Sequence, residues 1–170
     1  MWSSSLRVFG SGPAWLWLTL VVLLSSCGFR LQGAASYPEA MEVTFIDTED
    51  RYTPFYRKLR ISLEQGGVTV SESPVDATAV VRIESDDTGQ RVLTVSARNV
   101  PTEYDVYYKI RYSVWIDGEE VVSSRSLSRR QDYTYDPTEV LGKNREEEFI
   151  REALADNLVA QVGRELSKVE

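Results

Sequence analysis

The chain has 170 residues, a formal net charge of −7, a single cysteine and no histidine. This length predicts one domain, and 42% apolar with 26% charged residues excludes an intrinsically disordered chain. The cysteine and histidine counts exclude disulfide frameworks, zinc fingers and histidine-based catalytic triads. The acidic balance argues against a general nucleic-acid binder, because the field of the protein would repel phosphate.

The amino-terminal segment predicts an export signal. Ala14–Leu24 is almost entirely apolar and would rise about 16 Å as a helix, roughly half the thickness of a bilayer core. It ends in the sequence LSSC, which is typical of a bacterial lipoprotein processing box. We therefore predict that residues 1–26 are a removed signal peptide, that Cys27 is lipidated and that residues 27–38 form a tether. A free cysteine after an ordinary signal peptide is the alternative.

Removal of this signal changes the charge balance. The mature chain would have 144 residues with 18 basic and 26 acidic groups, a net charge of −8. Gly28 follows the cysteine where an aspartate would favour retention in the inner membrane, so the outer membrane is predicted. The covalent lipid on Cys27 is the only attached group that we expect, and no cofactor is predicted.

Residues 39–170 are predicted to form a single domain that contains two amphipathic helices. Alternating apolar residues at 41–45 predict a first strand. A helix follows, with Thr53-Pro54 as its start signal and glycines at 66 and 67 as its stop signal. Apolar residues recur at every fourth position from Ile150 to Leu166 and predict a second helix that lies on a sheet.

Strand patterns fill the stretch between the two helices. Alternation predicts strands at about 78–84 and 92–98, and the residues at 86–90 between them are typical of a hairpin loop. Fourteen residues of strict alternation at 103–116 predict a long strand. The Asp-Gly pair at 117–118 predicts the tight turn after it.

The return strand at 121–135 has a polar middle rich in serine and arginine, as expected of a solvated edge or of a surface for a polar partner. The elements together predict an α+β fold, a mostly antiparallel four-stranded sheet with two helices packed on one face. The pairing of a short strand near Val68–Val70 stays open.

No motif in the sequence predicts an enzyme. The densest carboxylate cluster lies at 146–148, but adjacent side chains on a helix point in different directions, as in a solvated first turn favoured by the helix dipole. The serines of the return strand have no histidine or lysine partner that would activate a nucleophile. Asp86 and Asp87 lack the spacing of a calcium loop, so no metal is predicted.

Charge is distributed unevenly along the mature chain. Residues 98–145 carry eight basic and eight acidic groups, whereas residues 28–97 and 146–170 are acidic. Strand ends and turns commonly carry binding groups, so an anionic ligand is predicted to bind in this neutral third. A solvated surface is the alternative for each of its basic residues. The candidates are Arg98, Arg125, Arg129, Arg130, Lys143 and Arg145.

Four segments together resemble the LPS-assembly lipoprotein family, LptE. The resemblance covers the mature chain in element order. The segments are Cys27-Gly28-Phe29-Arg30-Leu31, the helix from Thr53-Pro54 through Leu59 to Gly66-Gly67-Val68, Arg98-Asn99 with Glu103-Tyr104, and Val140-Leu141-Gly142-Lys143.

The resemblance implies an outer-membrane lipoprotein, anchored by its lipid in the inner leaflet on the periplasmic side. It implies a protein that plugs the lumen of the β-barrel LptD, as a 1:1 complex, binds lipopolysaccharide and assists its insertion. It also implies that Arg98 and Lys143 contact lipopolysaccharide. From the charge distribution alone, Arg125, Arg129, Arg130 and Arg145 are predicted as possible secondary contacts. The alternative is a lipid-anchored envelope scaffold that binds another protein by strand addition.

Overall fold

The structure is a computed structural model that describes residues 36–135 and 140–169. Side chains are described for residues 36–135 and 145–169. The predicted signal peptide and the predicted lipidation of Cys27 lie outside these residues and stay predictions.

Two α-helices and five strands form the described part of the domain. In chain order they are β1 Val43–Asp47, α1 Pro54–Gln65, β2 Thr69–Ser71, β3 Ala79–Val95, β4 Pro101–Ile116, β5 Glu119–Thr134 and α2 Val140–Leu166. Short 3₁₀ turns precede β1 and β3.

The five strands join one mixed sheet in the order β2-β1-β3-β4-β5. β1 runs parallel to β2 and β3, whereas the β3–β4 and β4–β5 pairs are antiparallel. The α+β class is confirmed, but the predicted count of four strands in a mostly antiparallel sheet is wrong. The connection through α1 returns the chain to the free edge of β1 in the same direction, so the short strand β2 pairs there in parallel.

β3 is one strand of 17 residues, and the predicted loop at 86–90 is wrong. These five residues pair in register with residues 106–110 of β4. Thr88 donates its hydroxyl to the Tyr107 carbonyl at 2.9 Å. Gly89 leaves room for the Tyr107 phenol, because a Cβ there would lie 2.8 Å from the Tyr107 hydroxyl. Pairing with the long β4 thus overrides the turn preference of these residue types.

Helix α1 has the bounds that its start and stop signals predict. The Thr53 hydroxyl accepts a hydrogen bond from the Tyr56 amide at 3.2 Å, and Pro54 occupies the first turn. The helix ends at Gln65 with Gly66 as its cap, and Gly67 has the left-handed φ of 87° that glycine adopts without strain.

The hydrophobic core lies between the helices and one face of β4. The even-numbered side chains from Val106 to Ile116 are all buried on this face. The helical side chains in the same core are Phe55, Tyr56, Leu59, Leu63, Ile150, Leu154, Ala155, Leu158, Val159, Val162 and Leu166. The helices also contact each other through Lys58, whose Nζ lies 2.9 Å from Glu152. Both helices therefore pack on one face of the sheet.

Asp86 connects the middle of β3 to the start of α1. Burial raises the pKa of its carboxyl, the nearby hydroxyls of Thr53 and Tyr108 partly offset that effect, and neither carboxylate oxygen has a hydrogen-bond partner among the described residues. The same two hydroxyls accept hydrogen bonds from the first amides of α1. Phe55 donates its backbone N–H to the Tyr108 hydroxyl at 3.1 Å, and Tyr56 donates its backbone N–H to the Thr53 hydroxyl. These two amides of the first turn, which have no partner within the helix, are satisfied in this way.

Replacement of Asp86 tests how much its carboxyl lowers the free energy of unfolding. A carboxyl with a raised folded pKa makes its most favourable contribution below its unfolded pKa, and that contribution is lost as the pH rises through the folded pKa. We expect Asp86→Asn to raise the free energy of unfolding at pH 7 by about 1 kcal/mol and to give no gain at pH 3. Urea unfolding at both pH values measures this difference. Asp87→Asn on the exposed neighbour is the matched control, and an equal gain at both pH values would contradict the prediction.

Candidate functional site

Arg98 lies in an ordered turn between β3 and β4. The Ser96 amide donates to the Val100 carbonyl at 2.8 Å, and the Asn99 amide donates to the Ser96 carbonyl at 2.9 Å. Asn99 has a φ of 60°, a left-handed conformation that asparagine tolerates better than most residues. β3 ends at Val95, so Arg98 belongs to the turn and not to the predicted strand end at residue 98.

The Arg98 side chain is exposed and makes no ion pair with any part of the chain that the structure describes. Most other arginines differ in this respect. Arg91, seven residues earlier, lies 2.7 Å from the carboxylate of Asp105. The Arg98 guanidinium therefore has its donors available for a ligand.

Lys143 lies in the first turn of α2, and its side chain is outside the described residues. The backbone nevertheless places this turn at the end of the sheet where β4 begins. Thr134, the last residue of β5, pairs with Glu103 close to the start of β4, and α2 begins six residues later. Burial raises the pKa of the Tyr133 hydroxyl, and the nearby negative charge of Glu147 on α2 raises it further. The structure thus brings the backbones of Arg98 and Lys143 to the same end of the sheet.

The other four basic candidates are not gathered at that end. Arg125 forms an ion pair with Glu165 at 2.9 Å, and Arg129 donates to the Gln161 side chain, so both face α2. Arg130 is exposed on β5, and Arg145 is exposed on α2. Their predicted role as secondary contacts stays a prediction, but the structure gives Arg125 and Arg129 partners within the fold.

Glu165 collects three donors between α2 and the sheet. Burial disfavours its ionised form, but hydrogen bonds from Tyr112, Gln161 and Arg125 outweigh that effect and lower its pKa. The Tyr112 hydroxyl donates at 2.5 Å, and the Arg125 guanidinium donates at 2.9 Å. This group of polar side chains fixes the last turns of α2 on the sheet.

The second face of the sheet is polar and is covered by neither helix. Its side chains pair across strands, and Arg91 reaches Asp105, which is only 2% exposed. Ser124 donates to Glu84 at 2.6 Å, and Arg111 donates to Ser126 at 3.2 Å. This face thus presents cross-strand hydrogen bonds, and it also holds two buried polar atoms, Asp105 Oδ1 and Trp115 Nε1, that have no hydrogen-bond partner among the described residues.

Four exposed apolar residues surround the Arg98 turn, and none of the sequence motifs predicts them. We call Val92, Leu93, Val95 and Val100 the apolar tip; they are 39–50% exposed. Adjacent apolar residues at 92 and 93 break the alternation of the strand, and this irregularity in the sequence could have indicated an exposed apolar surface. Three tyrosines lie directly behind: the Tyr104 ring lies 5.7 Å from that of Tyr133 and 5.5 Å from that of Tyr135.

The carboxylate cluster at 146–148 has the character of a solvated helix face. Two of its three side chains are exposed, and Glu147 pairs with Arg151 one turn later, at 2.5 Å. Within residues 36–135 and 145–169, no group of three potential ligands could hold a metal ion. In the part of the chain that the structure covers, neither helix has the length and apolarity that a membrane span requires.

Solved structures of bacterial lipoproteins share this fold. The NMR structure of an uncharacterized lipoprotein B from Nitrosomonas europaea has a TM-score of 0.68 at 19% identity, covering 82% of this chain and 90% of that one. The rare lipoprotein B of Shewanella oneidensis has a TM-score of 0.63 at 22% identity, covering 74% of this chain and 93% of that one. These likenesses define the class of fold, a two-layer α+β domain found in lipoproteins.

The sequence comparisons define the family. Residues 41–166 match LptE, the lipopolysaccharide-assembly family. The LPS-assembly lipoprotein LptE of Yersinia enterocolitica is 27% identical over 154 residues, which cover 89% of this chain and 73% of the relative. That of Yersinia pestis is 24% identical over 156 residues, which cover 91% and 75%. The chain belongs to the LptE family of lipopolysaccharide-assembly lipoproteins.

Unfolding measurements can distinguish Arg125, which forms an ion pair with Glu165, from Arg130, which is exposed on β5. We expect Arg125→Leu to lower the free energy of unfolding by about 1 kcal/mol at pH 7, because it leaves Glu165 without its ion-pair partner. The lowered pKa means that this contribution is present above the unfolded pKa of Glu165 and is lost as the pH falls through its folded pKa. The loss should therefore shrink at pH 3. Arg130→Leu is the matched control, and an equal loss in the two variants would contradict the assignment.

Proposed function

We propose that this protein binds lipopolysaccharide at the β3–β4 end of its sheet, with Arg98 and Lys143 as the cations that meet its phosphates. The observation that carries the proposal is the Arg98 turn, which holds an exposed guanidinium with no ion-pair partner among the described residues. Lys143 supports it by its backbone position in the α2 turn at the same end.

The chemistry of the two groups suits phosphate. A guanidinium presents a planar fork of donors that can bind two phosphate oxygens at once, and an ammonium acts as a compact point charge. Aggregated lipopolysaccharide is held together by divalent cations between its phosphates. We propose that the two side chains compete with these cations and loosen the aggregate, while the acidic remainder of the protein discourages adhesion to other anionic surfaces.

A binding measurement on the full chain tests this role. The protein, stabilised in amphipol and immobilised by a carboxy-terminal tag, would be titrated with lipopolysaccharide. We expect Arg98→Ala with Lys143→Ala to weaken binding at least about 10-fold, because each lost charge-assisted hydrogen bond contributes about 1.5–3 kcal/mol.

The control removes the same charge from the other end of α2, as Arg164→Ala with Lys168→Ala. Both of these side chains are exposed. Unchanged affinity in the Arg98 and Lys143 variant, or an equal loss in the control, would show that binding does not depend on this end of the sheet.

We further propose that the protein is anchored in the outer membrane by a lipid on Cys27 and plugs the lumen of the LptD barrel. The barrel interior of outer-membrane proteins is polar, so a plug needs a polar surface. The second face of the sheet has this character, with the cross-strand pairs of Arg91, Glu84 and Arg111 described above. This role requires binding and assembly, and we propose no catalytic step.

Co-purification through a carboxy-terminal tag in mild detergent tests the barrel partner. We expect a large barrel at a 1:1 ratio with the wild-type chain. Ser126→Trp with Ser128→Trp adds bulk to the second face and should reduce the barrel yield at equal expression. Ala160→Trp on the exposed side of α2 is the control, and an undiminished yield in the serine variant would contradict contact through this face.

Strand addition by another protein is the second candidate, and the position of β5 favours it. β5 is an edge strand of 16 residues in the described sheet, with almost all its side chains exposed. An extended segment could pair along it through backbone hydrogen bonds. Recovery of a soluble periplasmic protein in place of a barrel would support this candidate against the plug.

A further inference from the structure

The apolar tip lies in a part of the chain that differs in charge from the rest. From Thr88 to Thr102 there is no acidic residue and there are two arginines, in a chain with a net charge of −7. The opposite end of the sheet has Asp117, Glu119 and Glu120 at the β4–β5 turn. The Arg98 turn is therefore apolar and basic, whereas the β4–β5 turn at the opposite end is acidic; beside the Arg98 turn, Glu103 of β4 accepts a hydrogen bond from Thr94 at 2.7 Å.

The tip is a defined surface. Val95 pairs with Pro101 across the two strands, and the Ser96 side chain accepts the Val100 amide at 3.2 Å, so the backbone that carries these valines is held in place. Val92 pairs in register with Tyr104, and this contact joins the tip to the three tyrosines. Tyrosine rings combine an apolar body with a polar hydroxyl and suit the boundary between hydrocarbon and water.

An anionic lipid molecule complements this arrangement. Exposed apolar side chains gain free energy when hydrocarbon covers them, and Arg98 lies between Val95 and Val100 in the chain, where it can meet a phosphate. A continuous anionic membrane surface is a poorer partner, because the acidic remainder of the protein would be repelled by it. A single bound amphiphile needs only the local charge at the turn.

We infer that the apolar tip holds the acyl chains of the same glycolipid whose phosphates Arg98 meets. The inference rests on the proposed binding of lipopolysaccharide and adds the hydrocarbon part of the ligand to the site. The acyl chains lie against the valines and Leu93, and the half-buried Tyr104 and Tyr135 lie behind them at the boundary between acyl chains and sugar. The site thus recognises the lipid portion of the molecule and does not depend on phosphate alone.

Two ligands and two variants test the inference on the full chain in amphipol. The ligands are intact lipopolysaccharide and lipopolysaccharide from which the acyl chains have been removed with the phosphates retained. Val95→Thr with Val100→Thr keeps the side-chain volume and the β-branching, so the turn is preserved. The control is Val75→Thr with Val121→Thr, since both of these valines are exposed and lie away from the tip.

We expect the tip variant to bind intact lipopolysaccharide about 10-fold more weakly than wild type, from the loss of two buried methyl groups. It should bind the deacylated ligand as wild type does, and the control should match wild type on both ligands. Arg98→Ala, in contrast, should weaken the binding of both ligands. This pattern would establish the acyl-binding role.

Three results would overturn the inference and leave the proposed phosphate contact standing. The wild-type chain could bind both ligands with equal affinity, or the tip variant could bind both ligands as wild type does. The tip variant could also lose affinity for both ligands to the same extent. A tip variant that alters self-association in sedimentation, with no change in ligand binding, would identify a second copy of the chain as the occupant. If the wild-type chain binds neither ligand, the proposed function itself fails.

Discussion

Burial of one face of β4 is the constraint on which the described fold depends. Side chains at alternate positions from Val106 to Ile116 lie on this face, and both helices and both neighbouring strands pack around them. Because the alternation of a strand has a period of two, a shift of one residue in register would expose the whole set and bury the polar set. The polar set consequently forms the second face, which stays free for a partner.

The junction at Asp86 shows how this constraint reaches the helices. β3 continues through a polar segment because β4 pairs with it, and this pairing brings Asp86 and Tyr108 to the first turn of α1. The hydroxyls of Tyr108 and Thr53 then accept hydrogen bonds from two helix amides, beside a carboxyl whose own oxygens have no partner among the described residues. The cost is a partly buried carboxyl with a raised pKa.

The start of the described chain and the proposed ligand site lie at opposite ends of the sheet. The described chain begins beside the acidic end, where Thr78 contacts the Ala40 carbonyl and accepts the Asp117 amide. β4 spans about 50 Å at 3.3 Å per residue, so the Arg98 turn lies at the far end of an elongated sheet. The described chain therefore begins at one end of the sheet, and the proposed ligand site lies at the other.

The sequence by itself determined the family, both helices, the long strand β4 and its tight turn, because periodicity and capping are local signals that a single segment carries. Only the tertiary structure decided that residues 86–90 continue a strand, that β2 joins the sheet, and that Arg125 pairs with Glu165 whereas Arg98 stays unpaired within the described chain. These features depend on which segments meet, and residue type at one position cannot specify its distant neighbour. The apolar tip was hidden for the same reason, since exposure is a property of the folded chain.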